Sequence, residues 1–368
     1  MTDEPTAISA ATTVGRIGLV AIGRNEGPRL RACLTAARDF AGAGLIGPMV
    51  YVDSGSSDDS VAIAQRLGVE VVHLDTAGGF TAGKARNAGA TALAARDDPP
   101  DLIQFIDGDC ALQPGWLETA RAALIGNPTL AAAAGRRRER FPDASIFNRL
   151  CDMEWNTPVG IAAAVGGDAL YRAEAFHGVG GFDPTFICGE EPELTHRLRA
   201  KGWRIARLDA EMTLHDAAMT RWGQWRKRTE RGGWAFAEGA TTYGAAPDRS
   251  NVREALRIWV WGLVVPGAIL AGLVVAALSP GLRGAALAGL GALAYPLMAL
   301  RVARYRCRAF GDPARHALIY GALVMLGKPA EALGALRYHR ARLRGKTARI
   351  IEYKDAAPTG GGRGTRTE

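Results

Sequence analysis

The sequence predicts an α/β fold, a mainly parallel sheet built from strand–helix units and followed by apolar membrane helices. Three observations carry this. β-rich runs alternate with segments of helical spacing between residues 17 and about 106. Polar and acidic clusters recur directly after those runs, at the edge where open parallel sheets bind ligands. Beyond Arg257 come two uncharged stretches of 21 and 17 residues, at 258–278 and 284–300.

Taken in order, residues 1–16 hold no apolar run, so a short disordered tail without a cleaved signal peptide is expected. "IGLVAI" (17–22), "MVYVD" (49–53), "VEVVHL" (69–74) and "LIQFI" (102–106) read as strands buried on both faces. Between them, "PRLRACLTAARDF" opens with Pro28 at a helix start, and "SSDDSVAIAQRLG" carries a Ser/Asp cap and Gly68 as a stop. The strand ends direct attention to Arg24-Asn25-Glu26, to Asp53, to the 77–87 loop and to Asp107-Gly108-Asp109. Further on, strands are expected near 161–171 and 203–208, with a helix over 191–201 ending at Gly202.

At 258–278 the chain is long enough, at about 1.5 Å per residue, to span the hydrocarbon core. Trp259 and Trp261 stand at one end, and Ser279-Pro280-Gly281 forms a turn before the second run. Arginines 253 and 257 precede the pair while 301, 304, 306 and 308 follow it, which puts both ends of a hairpin in the cytoplasm. Two buried core helices are the alternative. The segment 314–337 is expected to be re-entrant or interfacial, with a third span also possible, and the basic, Trp-bearing 220–239 stretch suits a helix lying on the membrane. The tail over 356–368 is low in complexity and expected to be disordered.

The 368 residues carry a net charge of +8, with much of the excess in the last third. No basic helix with interleaved aromatics and no zinc-finger spacing supports nucleic-acid binding, so a membrane surface or an anionic substrate is favoured. Five widely spaced cysteines without C-x-x-C are expected to be reduced thiols.

"AGGFTAGKARNAG" (77–89) comes close to a phosphate-binding loop, with Gly78, Gly83 and Lys84 in place, but Ala85 stands where a magnesium-binding hydroxyl is required. A nucleoside triphosphatase is therefore disfavoured. Thr81 instead caps a helix whose first turns present Lys84, Arg86 and Asn87 to a nucleotide. In "QFIDGDC", Asp107 and Asp109 sit one residue apart after a buried strand. Such a pair calls for a cation, and Mg²⁺ or Mn²⁺ shared with substrate phosphates meets that need, although Asp-Gly-Asp is also good turn chemistry. Glu190, Glu191 and Glu193 crowd a helix start, more acids than the helix dipole needs, and one of them is a candidate general base. His215 follows a strand and is a candidate further contact to metal or diphosphate.

Together these motifs resemble the family 2 glycosyltransferases of the GT-A fold, over about residues 17–240. "VAIGRNEG" is similar to the family's first strand and N-E element, which brings Glu26 to the donor. "VYVDSGSSDDS" is similar to the nucleotide segment V-D-x-G-S-x-D-x-[ST], "KARNAG" to A-R-N-x-G, and Asp107-Gly108-Asp109 to D-x-D. "GGFDPTFICGEEPELTHRLRAKGW" is similar to the G-G-F-D…G-E-D-x-[DE]-L-x-x-R-L-x-x-x-G-[WY] segment.

The resemblance implies an inverting transfer from a nucleotide diphosphate-sugar to an acceptor hydroxyl. Asp53 is then expected at the base, with Lys84, Arg86, Asn87 and Asp107 on the donor. Asp109 is expected on the metal directly, Asp107 through water or on the ribose, and His215 completing the site. Glu191 would be the base, although the family has Asp there, so Glu190 and Glu193 remain alternatives.

The hydrophobic C-terminus resembles that of bacterial members building exopolysaccharide or envelope glycans, with a lipid-linked or glycan acceptor. It implies a catalytic region (17–240) facing the cytoplasm from the inner membrane and a membrane region over 241–355. Transfer to polyprenyl phosphate and an inactive nucleotide-sugar-binding scaffold are the alternatives. The Q-x-x-R-W signature of processive synthases is not matched, because Gln224 and Arg228 have the wrong spacing.

Overall fold

The computed structural model describes residues 15–77, 79–245, 249–279 and 282–345. Apart from residues 15 and 16, the expected terminal tails lie outside them, as do Gly78 and the Pro280-Gly281 part of the expected turn.

Strands β1 (Ile17–Gly23), β2 (Ile46–Asp53), β3 (Glu70–His73) and β4 (Leu102–Asp107) alternate with helices α1 (Pro28–Gly42), α2 (Ser60–Arg66) and α3 (Ala82–Ala94). They pair in parallel in the order β3-β2-β1-β4. β1 is buried on both faces because helices cover it from both sides, which is why its apolar residues run continuously. α3 lies so close to β1 that a Cβ on Gly89 would overlap Val20. β3 corrects the expectation of full burial. It is an edge strand, and its Glu70 and His73 are exposed.

Next come β5 (Cys110–Leu112), α4 (Trp116–Gly126), β6 (Leu130–Glu139), α5 (Ile146–Glu154), β7 (Gly160–Ala162), β8 (Ala169–Arg172), α6 (Ala173–Gly178), α7 (Glu190–Ala200) and β9 (Arg204–His215). The sheet continues from β4 through β8, β6 and β9 to β5, with β7 also on β9. β8 is antiparallel to both of its neighbours, whereas β6 and β9 run parallel. The single strand expected near 161–171 is thus two strands on different partners, separated by Gly166-Gly167. The strand expected over 203–208 continues to His215, because the polar residues of its middle alternate on an open face.

The remaining helices are α8 (Trp222–Tyr243), α9 (Val252–Trp259), a π-helical stretch (Val260–Val264), α10 (Val265–Leu278), α11 (Leu282–Phe310) and α12 (Ala314–Leu343). Val252–Leu278 and Leu282–Phe310 are long and apolar enough to cross a membrane. Leu270, Leu273, Leu290 and Leu297 are exposed along them, unlike residues of a soluble core. α12, expected to be re-entrant or interfacial, is a continuous helix of 30 residues that packs on α8 and α11. α8 departs from the expected surface-lying helix. Trp225 and Trp234 are buried, Trp225 beside Leu323 of α12 and Trp234 against Tyr338, leaving Trp222 exposed. Gln224 caps this helix by accepting from the backbone N–H groups of Thr220 and Arg221.

Candidate active site

The carboxyl ends of β1 and β4, the start of α7 and one face of α8 enclose a cleft of about 730 Å³. Arg86, Asp107, Asp109, Glu190 and Glu191 all line it. Arg24, Glu26, Ser54 and Phe80 line the side formed by the β1, β2 and α3 loops, and the Arg24 guanidinium lies 4.8 Å from the Phe80 ring centre.

Arg86 is almost fully buried and joins the acids of two distant segments. It donates to Asp107 Oδ1 at 2.8 Å and to Glu190 Oε1 at 3.1 Å, and lies 3.5 Å from Glu191 Oε1. Burial alone lowers an arginine pKa, but the charges of Asp107, Glu191 and Glu190 outweigh it and hold Arg86 above its ordinary value. Asp107 Oδ2 receives a second guanidinium, Arg137, at 3.2 Å. Arg137 also bonds Asp168, which accepts from the Asp107 backbone N–H and from the Thr213 hydroxyl. Both Asp107 oxygens therefore face arginines. Asp107 also stands with Cys110 and Asp168 in a group whose ligand atoms lie within 4.8 Å of one another, so its expected role at a metal stays a proposal.

Asp109 is different. Its Oδ2 lies 3.4 Å from His215 Nε2, with both residues buried, and His215 Nδ1 lies 3.5 Å from Glu139 Oε2. Backbone pairing creates this meeting, because Cys110 of β5 stands opposite His215 of β9. Burial first, and the Arg137 charge second, hold the His215 pKa well below its usual value, so the ring is neutral and able to ligate. His215 Nδ1 is buried and makes no hydrogen bond. Ligand atoms of Asp109, Cys110 and His215 lie within 4.8 Å of one another. A carboxylate and a neutral imidazole, backed by Glu139, suit Mn²⁺ or Mg²⁺, so Asp109 and His215 fit the implied metal.

Glu191 sits in the first turn of α7 and reaches the cleft. Burial, reinforced by the like charge of Glu190, pushes its carboxyl up to about 7. Glu193 is instead bound by Arg197 and by the Tyr243 hydroxyl, at 2.5 and 2.7 Å, and does not line the cleft.

Three residues expected on the donor have protein partners. Asp53 accepts from the Gly55 and Ser56 backbone and from Tyr51, bracing the loop that presents Ser54. Asn87 clasps the Phe182 backbone through both ends of its amide, at 2.7 and 2.9 Å. Lys84 follows Thr81, which caps α3 as expected, but its Nζ donates to the Gly79 carbonyl at 2.9 Å. None of the three lines the cleft.

Sequence reasoning missed Arg137, Glu139 and Asp168. The available signal was the "RRRE" end of β6, where a period of two puts residues 137 and 139 on one face.

Residues 20–176 match the profile of glycosyl transferase family 2. Over that stretch the chain is similar to the family 2 glycosyltransferases. It is 27% identical over 212 residues to a pre-mycofactocin glycosyltransferase of Mycobacterium tuberculosis, covering 52% of this chain and 41% of that protein. It is 29% identical over 170 residues to the succinoglycan biosynthesis protein ExoA of Rhizobium meliloti, covering 43% of this chain and 50% of that protein. These matches thus span half or less of the relatives' length. Among solved structures, the mannosyltransferase PcManGT of Pyrobaculum calidifontis, in complex with GDP-Man and Mn²⁺, superposes with a TM-score of 0.54 at 21% identity. That likeness covers 84% of this chain and 87% of the other. The α/β part of the chain has a fold of the GT-A type.

Proposed function

We propose that the protein is an inverting, metal-dependent glycosyltransferase that moves a sugar from a nucleotide diphosphate-sugar to a hydroxyl on a membrane-associated acceptor. The observation that carries this is Glu191, a carboxyl with a pKa of about 7, in the same cleft as the Asp109 of the Asp109–His215 pair. The donor lies along the β1, β2 and α3 loops, with Arg24, Glu26 and Ser54 beside it. Asp109 and His215 would hold the metal, which when bound would screen the diphosphate and stabilise it as a leaving group.

Arg86 keeps Glu190 and Glu191 close together, and their mutual repulsion makes Glu191 ready to accept a proton. As the acceptor oxygen bonds to the anomeric carbon, the bond from that carbon to the diphosphate oxygen breaks. The nucleoside diphosphate leaves with that electron pair, and Glu191 takes the hydroxyl proton.

A hydroxyl acceptor is favoured over polyprenyl phosphate itself. A hydroxyl brings the proton that Glu191 takes, whereas an ionised phosphate would bring negative charge to two adjacent carboxylates. The two apolar helices anchor the enzyme in the cytoplasmic membrane, with the cleft on the cytoplasmic side. The ExoA relative supports exopolysaccharide or envelope-glycan assembly as the setting.

The test is Glu191→Gln in membranes supplied with a panel of nucleotide-sugars. Donor binding should persist while transfer falls by about 10²–10⁴-fold, the usual span for a lost general base. Normal turnover by this variant would move the base to Glu190, and no transfer or donor hydrolysis by the unaltered protein would support a scaffold.

A further inference from the structure

We infer that the cleft contains an anion subsite on its membrane side, formed by Arg228 and Arg231 of α8, which takes the phosphate of a lipid-linked acceptor. This rests on the transferase reading above and names the acceptor's chemistry.

Residues 228, 231, 232, 235 and 236 all line the cleft, and their spacing makes one continuous face of α8. That face meets the start of α7 directly. A Cβ on Gly189, the residue before Glu190, would lie 3.2 Å from the Ala235 Cβ. From Ala235, Arg231 and Arg228 stand about 6 Å and about 10 Å back along the helix axis. A sugar whose hydroxyl is at Glu191 can thus reach the arginines with its anomeric phosphate. Gly232, next after Arg231 on this face, has open space where a side chain would be, which keeps this part of the cleft wide.

The other wall of the subsite belongs to α12, which packs on the first candidate span. Glu331 of α12 lines the cleft and pairs with Lys328 at 2.6 Å. The Lys328 carbonyl lies against Gly262 in the π-helical stretch of the first candidate span. Arg228 pairs with Glu154 of α5 at 2.7 Å, and Arg231 Nη2 lies 3.5 Å from the Ile187 carbonyl. At this end of the cleft the lining holds Arg228 and Arg231 together with Glu154 and Glu331, so the two guanidinium groups are the cations that an entering phosphate would meet. Guanidinium pairs of this kind suit phosphate oxygens, and an acceptor held by its lipid tail enters from that side.

The test uses the full chain in detergent, with the donor site saturated by a nucleoside diphosphate and Mn²⁺. Intrinsic tryptophan fluorescence, to which Trp222, Trp225 and Trp234 of α8 contribute, is then followed while geranylgeranyl diphosphate is added. Arg231→Gln should weaken this binding by about tenfold, the loss of one charged phosphate contact, and Arg231→Lys should recover most of it. Nucleotide affinity, read in the same samples, should be unchanged. Because Arg228 also joins α5 to α8, Arg231→Gln is the deciding variant and Arg228→Gln counts only with an unchanged melting temperature. Equal binding by the wild type and Arg231→Gln overturns the subsite. Equal competition by inorganic diphosphate overturns the lipid assignment, and equal binding of geranylgeraniol overturns the role of phosphate. Failure of the transferase reading would appear separately, as lack of nucleotide binding.

Discussion

Arg86 is where the charges of the site converge, and its neighbours explain why it is more than a donor contact. Removing it would leave Asp107, Glu190 and Glu191 buried without their shared cation. Breaking such a network by deleting one partner costs about 3–5 kcal/mol, so Arg86→Ala should fall well below the wild type in denaturant unfolding as well as in donor affinity. A stable variant that only binds donor weakly would show that the three acids do not depend on it.

Glu191 makes a prediction of its own. The base works only when ionised, so activity should rise with pH and reach half its plateau near pH 7, the value that burial and Glu190 give its carboxyl. The acid limb of log(kcat) should disappear in Glu191→Gln, whose residual rate should be flat across that range. The cluster of acids at 190, 191 and 193 was legible as a helix start with a surplus of charge. Which acid faced the cleft was not. Arg86 draws in Glu190 from 104 positions away and Tyr243 holds Glu193 from 50 positions away, and neither pairing leaves a local signal.

At the scale of elements, the strand–helix units of the first half follow from local pattern, since each strand is an apolar run closed by polar residues. The second half was harder to read because β8 is inserted between β4 and β6 in the opposite direction, and β9 keeps half of its middle polar. The Asn87 clasp is likewise a pairing across 95 positions. It lets α3 hold the Phe182 backbone as a neighbouring strand would, through one donor and one acceptor. Asn87→Asp keeps the shape but removes the donor and sets a carboxylate against the Phe182 carbonyl. It should cost about 1–3 kcal/mol in denaturant unfolding, the penalty for an unmet buried polar group. Gly167 is a second element-level constraint, because a Cβ there would overlap the Arg86 guanidinium. With that guanidinium fixed by three carboxylates, Gly167→Ala should lower transfer and donor affinity together, and an unchanged variant would show that Arg86 has room to move.

At the scale of the whole molecule, the cleft lies between the sheet and helices that are themselves tied to the apolar pair. The buried residues around Trp225 join α5, α8 and α12, while those around Trp234 join the approach to α7 with α8, α9 and α12. Movement of the apolar helices would therefore be felt at the α8 wall of the cleft. The proposed topology, with arginines on either side of the pair and both ends cytoplasmic, predicts Ser279 on the far side of the membrane and Cys307 on the near side. Four of the five cysteines are buried and Cys307 is partly exposed, so the native chain is a usable background for labelling. In intact cells, an impermeant maleimide should label Ser279→Cys and leave Cys307 unmodified until the membrane is opened. The unaltered protein should stay with the membrane through alkaline extraction. Labelling of Cys307 in intact cells would reverse the hairpin. Release by alkali, with residue 279 protected in intact cells, would mean that the exposed leucines of the pair cover a surface without crossing it.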